Sequence, residues 1–401
     1  MISQPSTDLD TLKHQLCDEV DQRAEVLLAV SHDLHAHPEL GFAEHHAHDV
    51  LVDALGDAGL DVEPHACGVD TAFRAVVGAS GPKVAVLCEY DALPEIGHAC
   101  GHNVIAAAGL GAGLAAAALA IDAGGTVVIL GTPAEEGGGG KVALADAGAF
   151  DGVDAAMMVH PADADLTQMN AIAVQQVKVT YHGRAAHAAA APDRGRNALD
   201  AAVLGYLNVA ALRQHLAPGE RVHGIFTEAG TAANVVPERA AAHWFVRSPR
   251  AASLKALNGR VLTCLQAGAD AAGCTMDTAW IDPAYADMVD NQAMLDCYVA
   301  NAARLGRAVV APSAATEIVG STDMGNVSYR VPSIHPMIQV APSGVAIHTQ
   351  DFARYAASSD GDRAVLDGAK AMAMTVADLW LQHDVLADAR AGFDAALDAR
   401  P

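Results

Sequence analysis

The sequence is poor in aromatic side chains and in positive charge. Phe, Trp and Tyr make up 4% of its 401 residues, which favours closely packed helices and sheets over aromatic-rich recognition surfaces. Lys and Arg number 24 against 48 Asp and Glu, a formal net charge of -24. That balance excludes the basic patches on which nucleic-acid and anionic-membrane partners depend. The start, Met1 to Asp10, lacks the basic residues and apolar run of a secretory signal, so a cytoplasmic location is expected. The 7 cysteines are odd in number and follow no framework spacing, which fits free thiols in a reducing compartment. Internal repeats, linker tracts and low-complexity tails are also missing.

Two further patterns fail on inspection. The segment Gly137 to Lys141 suggests a phosphate loop, but Glu135 stands at the first glycine of G-x-x-x-x-G-K and Val142 replaces the Ser or Thr that holds magnesium. The uncharged stretch 104–121 reaches membrane-spanning length. It is mostly Ala and Gly and runs into the strand-like Gly124 to Gly131, so a helix buried on all sides in a soluble domain is the better reading.

What is present is a chain with 52% hydrophobic residues, enough for a large core and for two or three domains or one domain with an insertion. Residues 8–60 read as helical, broken by the turn His35-Ala-His-Pro-Glu-Leu-Gly-Phe42. Its histidines are expected to pack or support rather than coordinate, and His45, His46 and His48 on the next helix are expected to face solvent. Strands at 71–77, 83–89, 126–132 and 155–160 alternate with helix-length segments, the pattern of a largely parallel sheet covered on both faces. From residue 171 the order becomes strand, helix, strand, strand, helix, strand, a ferredoxin-like βαββαβ unit. The predicted organisation is a catalytic domain in two parts, 1–170 and 286–401, with a domain inserted at 171–285. Beyond it, a helix over 294–305, a strand-like 333–340 and a long helix over 363–382 are expected.

The chemistry gathers where strands end. Val84 to Cys88 spills into Glu89, Asp91 and Glu95, then into Cys100 and His102, separated by one glycine that permits a tight turn. Thr132-Pro-Ala-Glu-Glu136 follows the next strand, and adjacent carboxylates repel unless a cation or proton compensates them. One can bind a metal while its neighbour takes a proton from activated water. His160-Pro161 and His348 lie in similar loops. In open α/β sheets the ligand crevice lies beyond the carboxyl ends of the strands.

These segments, with His182-Gly-Arg-Ala-Ala-His187, Gly230-Thr-Ala-Ala-Asn-Val-Val-Pro237 and Gly320-Ser-Thr-Asp323, resemble the dinuclear-metal peptidase family of aminoacylases, acetylornithine deacetylase and glutamate carboxypeptidase. Cys-Gly-His resembles the amidohydrolase branch that includes aminobenzoyl-glutamate hydrolase. The resemblance implies an α/β/α zinc-peptidase-like catalytic domain with an inserted dimerisation or lid domain. It implies that Cys100 bridges two divalent metals, Glu136 and His348 completing one site and His102 and His160 the other. Zinc suits the thiolate and imidazoles, with manganese, cobalt or nickel open. Glu135 is implied as general base and acid, and His187 as the oxyanion donor to the partner subunit's substrate in a homodimer. Asn234, Arg247, Gly320, Ser321 and Thr322 are implied to face the substrate. Glu89 and Cys100 stand where the wider family has histidine and aspartate. Asn103 replaces an aspartate, which leaves the support of His102 open.

The expected activity is metal-dependent hydrolysis of N-acyl amino acids or dipeptides. A mononuclear enzyme using Cys100, His102 and His160, and a non-catalytic metal-binding protein of the same fold, are the alternatives.

Overall fold

The computed structural model describes residues 8–78, 80–313 and 319–400, and it divides into two compact units, 1–170 with 288–401, and 171–287. The inserted unit therefore ends two residues beyond the expected 285.

In the first unit, helices α1 (Leu9–Gln22), α2 (Ala24–Ala36) and α3 (His45–Asp57) lead into strands β1 (Val62–Pro64), β2 (Phe73–Gly78) and β3 (Lys83–Cys88). Helix α4 (His102–Ala123) and strands β4 (Thr126–Gly131) and β5 (Ala155–Met157) follow. The sheet runs β1, β2, β4, β3, β5 and then Ser333–Ile334. From β4 onward every pairing is parallel, whereas β1 and β2 are antiparallel to their neighbours. The α/β class holds, and the antiparallel edge is what reading elements in chain order could not reveal.

Composition explains how α4 fits. A Cβ on Gly109 would lie 2.5 Å from the Leu87 carbonyl oxygen, and one on Gly113 would lie 2.6 Å from Ile129 Cγ1. Small residues therefore let the helix lie directly on β3 and β4. On its other side α4 packs on α2 and on the long helix Ser359–Leu381. Among the described residues it is the one helix apolar and long enough to cross a membrane, yet 78% of its most apolar window is buried in the protein. Three details differ from expectation. The 333–340 segment is two short strands, Ser333–Ile334 and Met337–Gln339, interrupted at His335-Pro336; the chain adds an unforeseen helix, His383–Asp398. His48 does not face solvent: it is buried and stacks on His65 with ring centroids 4.9 Å apart.

The second unit is a four-stranded antiparallel sheet in the order Thr275–Tyr285, Ala173–His182, Arg239–Ser248, Arg221–Glu228. Helices Ala198–Arg213 and Ala251–Ala271 complete βαββαβ. Val177, Val179, Tyr181, Trp244 and Leu265 fill its core.

Candidate functional site

Every element of the candidate site begins at a strand end or a turn with constrained backbone. Glu89 and Asp91 follow β3, and Glu135 and Glu136 follow β4 after Ala134, which holds a left-handed φ of 60°. Gly101 caps α4 at φ 76°, where a Cβ would come within 2.8 Å of Pro161 Cγ. Only glycine fits there, and it turns Cys100 and His102 toward one point. His348, itself at φ 62°, is fixed by its backbone N–H donating to the Ala99 carbonyl at 2.8 Å.

The expected ligands converge. Donor atoms of Cys100, His102 and His160 lie within 4.8 Å of one another, as do those of Cys100, Glu136 and His348, so Cys100 belongs to both groups. A third such group joins Glu89, His102 and Glu135. Cys100 Sγ is 3.5 Å from His160 Nε2, and His348 Nε2 is 3.3 Å from Glu136 Oε1. His102 Nε2 lies 3.1 Å from Glu89 Oε1 and 3.8 Å from Glu136 Oε1. These three buried atoms have no hydrogen-bond partner. Orphaned buried polar atoms are rare and costly. Thiolate, imidazole and carboxylate donors with such separations suit cations bound at about 2.0–2.3 Å, so the residues fit the pair of divalent metals that the resemblance implies.

Electrostatics follow from burial and crowding. Burial opposes a charge on His102, but Glu89, Cys100 and Asp91 outweigh it and hold its pKa well above the usual imidazole value. Burial, then Glu89 and Glu136, push the Glu135 carboxyl well up. Burial also acts on Glu136, but the contact with His348 and the His102 charge bring it below the ordinary value. Burial and the nearby Glu136 push the Cys100 thiol well up.

Sequence reasoning missed the supports. His102 Nδ1 is 3.1 Å from Asp91 Oδ1, and Asp91 Oδ2 accepts the Glu136 N–H at 2.9 Å. The doubt raised by Asn103 is thereby resolved: its amide instead donates to Ser31 Oγ and the Ala356 carbonyl, both at 3.0 Å, tying α4 down. An aspartate two residues beyond Glu89 was the available signal. Lys141 was also missed. It is fully buried and bonds Glu89 and Asp323; a lysine after four glycines and a carboxylate pair was the clue.

The substrate-facing expectations separate into groups. Thr322 is buried with its hydroxyl accepting the Met324 N–H at 3.2 Å, and it adjoins Asp323, which Lys141 links to Glu89. Gly320 ends the short strand Val319–Gly320, and Ser321 follows it. In the second unit, exposed His187 pairs with Val235 across a bridge, and Ala188 N–H donates to the Asn234 carbonyl at 3.0 Å, so His187 and Asn234 are neighbours. Arg247 does not join them. It lies near the far end of strand Arg239–Ser248, with its guanidinium 5.7 Å from the Phe245 ring centre, whereas His187 and Asn234 precede that strand's start. Eight strand residues span about 26 Å.

A buried carboxylate, imidazole and thiolate cluster beyond the strand ends of an α/β sheet is the architecture of a hydrolase that activates water. The chain belongs to peptidase family M20/M25/M40, whose model matches residues 85–378, and it is accordingly a hydrolase of amide bonds. It is 39% identical to the Xaa-Arg dipeptidase of Mus musculus over 98% of this chain and 94% of that one. With a p-aminobenzoyl-glutamate hydrolase chain of Escherichia coli (strain K12) it shares 29% identity over 91% of each sequence. The fold matches a Bacillus subtilis protein described as a dinuclear metal binding peptidase from M20 family, with a TM-score of 0.70, 19% identity, and coverage of 90% of this chain and 99% of that one.

Proposed function

We propose that the chain is a metal-dependent dipeptidase that releases a C-terminal amino acid carrying a free carboxylate, with a preference for a basic one. The observation that carries the hydrolase reading is the convergence of buried, hydrogen-bond-deficient donor atoms on Glu89, His102 and Glu136 beside Cys100, His160 and His348. In this reading Cys100, Glu136 and His348 would hold one cation and Cys100, His102 and His160 the other, zinc first on the donor set. Bound there, the cations supply Lewis acidity that polarises the scissile carbonyl and makes water easier to deprotonate.

The rest falls to side chains. Glu135 takes a proton from the attacking water and returns it to the leaving nitrogen. His187 Nδ1 accepts the N–H groups of Ala189 and Ala190, each at 3.2 Å, which leaves the ring proton on Nε2 as a donor for the developing oxyanion. Asn234 is assigned to the substrate carbonyl or carboxylate, and Gly320, Ser321 and Thr322 to the substrate-facing loop.

Two things support the basic preference: the likeness to the Xaa-Arg dipeptidase along nearly the whole chain, and a net charge of -24 that draws cationic substrates. We also propose a cytoplasmic homodimer formed through the 171–287 unit. Its edge strand Arg221–Glu228 supports this, with Ile225 66% and Phe226 39% exposed.

The test is a substrate screen. Stripped protein is reloaded with zinc, manganese or cobalt and offered Xaa-Arg and Xaa-Lys dipeptides, aminobenzoyl-glutamate and N-acetyl amino acids, and released amine is read. Fastest turnover on basic dipeptides supports the proposal, equal or faster turnover elsewhere removes the basic preference, and no cleavage under any metal overturns the hydrolase reading. Glu135→Gln should stop turnover and keep the metals; indifference to it would favour the non-catalytic metal-binding protein.

A further inference from the structure

Away from the buried cluster, a second set of ligand-type side chains meets at the surface. Asp33 lies in α2, His37 is that helix's C-cap residue four positions on, and His46 is the second residue of α3. The four-residue spacing puts Asp33 and His37 on one helix face, and the intervening loop brings His46 onto them. His46 Nε2 is 2.7 Å from Asp33 Oδ2, His37 Nδ1 is 3.2 Å from Asp33 Oδ1, and the two imidazole centres are 4.7 Å apart. All three residues offer a donor atom within 4.8 Å of the others.

We propose that Asp33, His37 and His46 form a separate divalent-metal site for a zinc-class, imidazole-binding cation. Two ligands each about 2.0–2.1 Å from zinc stand about 3.3 Å apart at a tetrahedral angle; the His37–Asp33 separation of 3.2 Å meets this, and the His46–Asp33 separation of 2.7 Å has to open by a few tenths of an ångström. The side chains of His37 and His46 are 57% and 42% exposed, so a cation can enter and keep water as its remaining ligand. Without a cation His37 Nδ1 also hydrogen-bonds the Asp33 main-chain carbonyl at 2.9 Å, and coordination would replace these solvent-exposed contacts.

The position gives the site a consequence. The loop between its ligands holds the backbone behind the catalytic carboxylates. The Glu39 carbonyl accepts the Ala92 N–H at 2.8 Å, next to Asp91, and Glu44 Oε1 accepts the Ala134 N–H at 2.7 Å, next to Glu135. The Glu39 carboxylate accepts the N–H groups of His46 at 3.1 Å and Ala47 at 3.0 Å. A cation on Asp33, His37 and His46 clamps the end of α2 to the start of α3 and so closes that loop. This site does not depend on the hydrolase reading.

Zinc titration of the stripped full-length chain, wild type against His37→Ala and His46→Ala, tests it. Each variant is expected to bind one zinc fewer per chain, or to bind that one at least about tenfold more weakly. Each should gain less in melting temperature from added zinc, while turnover at saturating zinc stays unchanged because the Glu39 and Glu44 hydrogen bonds still hold the loop without the cation. Equal zinc counts and affinities in wild type and variants would overturn the proposal. So would a lost zinc accompanied by a proportionate loss of turnover, because that ion would then belong to the buried cluster. The readout is a difference between chains, so it is independent of how many cations the buried cluster holds.

Discussion

Lys141 Nζ lies 2.7 Å from Asp323 Oδ1 and also bonds Glu89, and all three side chains are fully buried. Burial opposes the lysine's charge, but Asp323 and Glu89 outweigh it and hold its pKa above the ordinary value. Removing one partner of such a set leaves uncompensated charge in the interior, which costs about 3–5 kcal/mol. Lys141→Met should therefore lower the free energy of unfolding by that order in a urea titration, and adding Glu89→Gln should recover part of it. A loss under about 1 kcal/mol in the single variant would show that the ion pairs are not integral to the fold.

Asp91 should govern metal affinity without binding metal. Its carboxylate meets His102 Nδ1 and the Glu136 N–H, so it sets the aim of two ligands at once. Partners of this kind typically control affinity by 10–100-fold. Asp91→Ala should weaken zinc binding by about that factor in competition with a chelator dye, while Asn103→Ala should change zinc affinity far less.

Asp290 makes a pH prediction that is separate from the site. Its Oδ1 is buried without a hydrogen-bond partner, and burial pushes its pKa up to about 7 against the pull of Arg400. Between the unfolded carboxyl pKa near 4 and the folded value, the native state holds a proton that the unfolded chain has lost. Stability contributed at acid pH is thus lost as pH rises through that window. The stability difference between wild type and Asp290→Asn should move against the wild type from pH 4 to pH 7. A difference independent of pH would contradict this.

Gly109 makes a packing prediction. A Cβ there would meet the Leu87 carbonyl oxygen at 2.5 Å, so Gly109→Ala must push α4 away from β3. Overpacking of this kind costs about 1–3 kcal/mol, whereas Gly259→Ala, whose added Cβ meets nothing within 4 Å, should not destabilise the chain. Thermal unfolding of the two variants compares them.

Which parts of this arrangement could be read from the chain depends on how each residue is held. Cys100 and His102 were legible because one glycine fixes their separation, and the Glu135-Glu136 pair because two adjacent carboxylates require an explanation. His348 was legible as a histidine in a marked loop, but its place beside Glu136 came only through resemblance, since a left-handed loop residue far along the chain leaves no periodic trace. Lys141 went unread because a lysine is almost never buried without partners, and those partners lie 52 and 182 residues away. Asn103 left the support of His102 open because that support comes from Asp91, eleven residues before His102 in the loop after β3. The antiparallel β1 and β2 escaped because strand order is decided by packing, not by succession along the chain.

In the proposed hydrolase, Cys100, Glu136 and His348 would hold one cation and Cys100, His102 and His160 the other. Anomalous-difference diffraction from zinc-loaded crystals tests it directly. The account predicts two peaks about 3.5–4 Å apart, both within bonding distance of Cys100 Sγ, with Glu135 bound to neither. A single peak, or peaks away from these five residues, would contradict it.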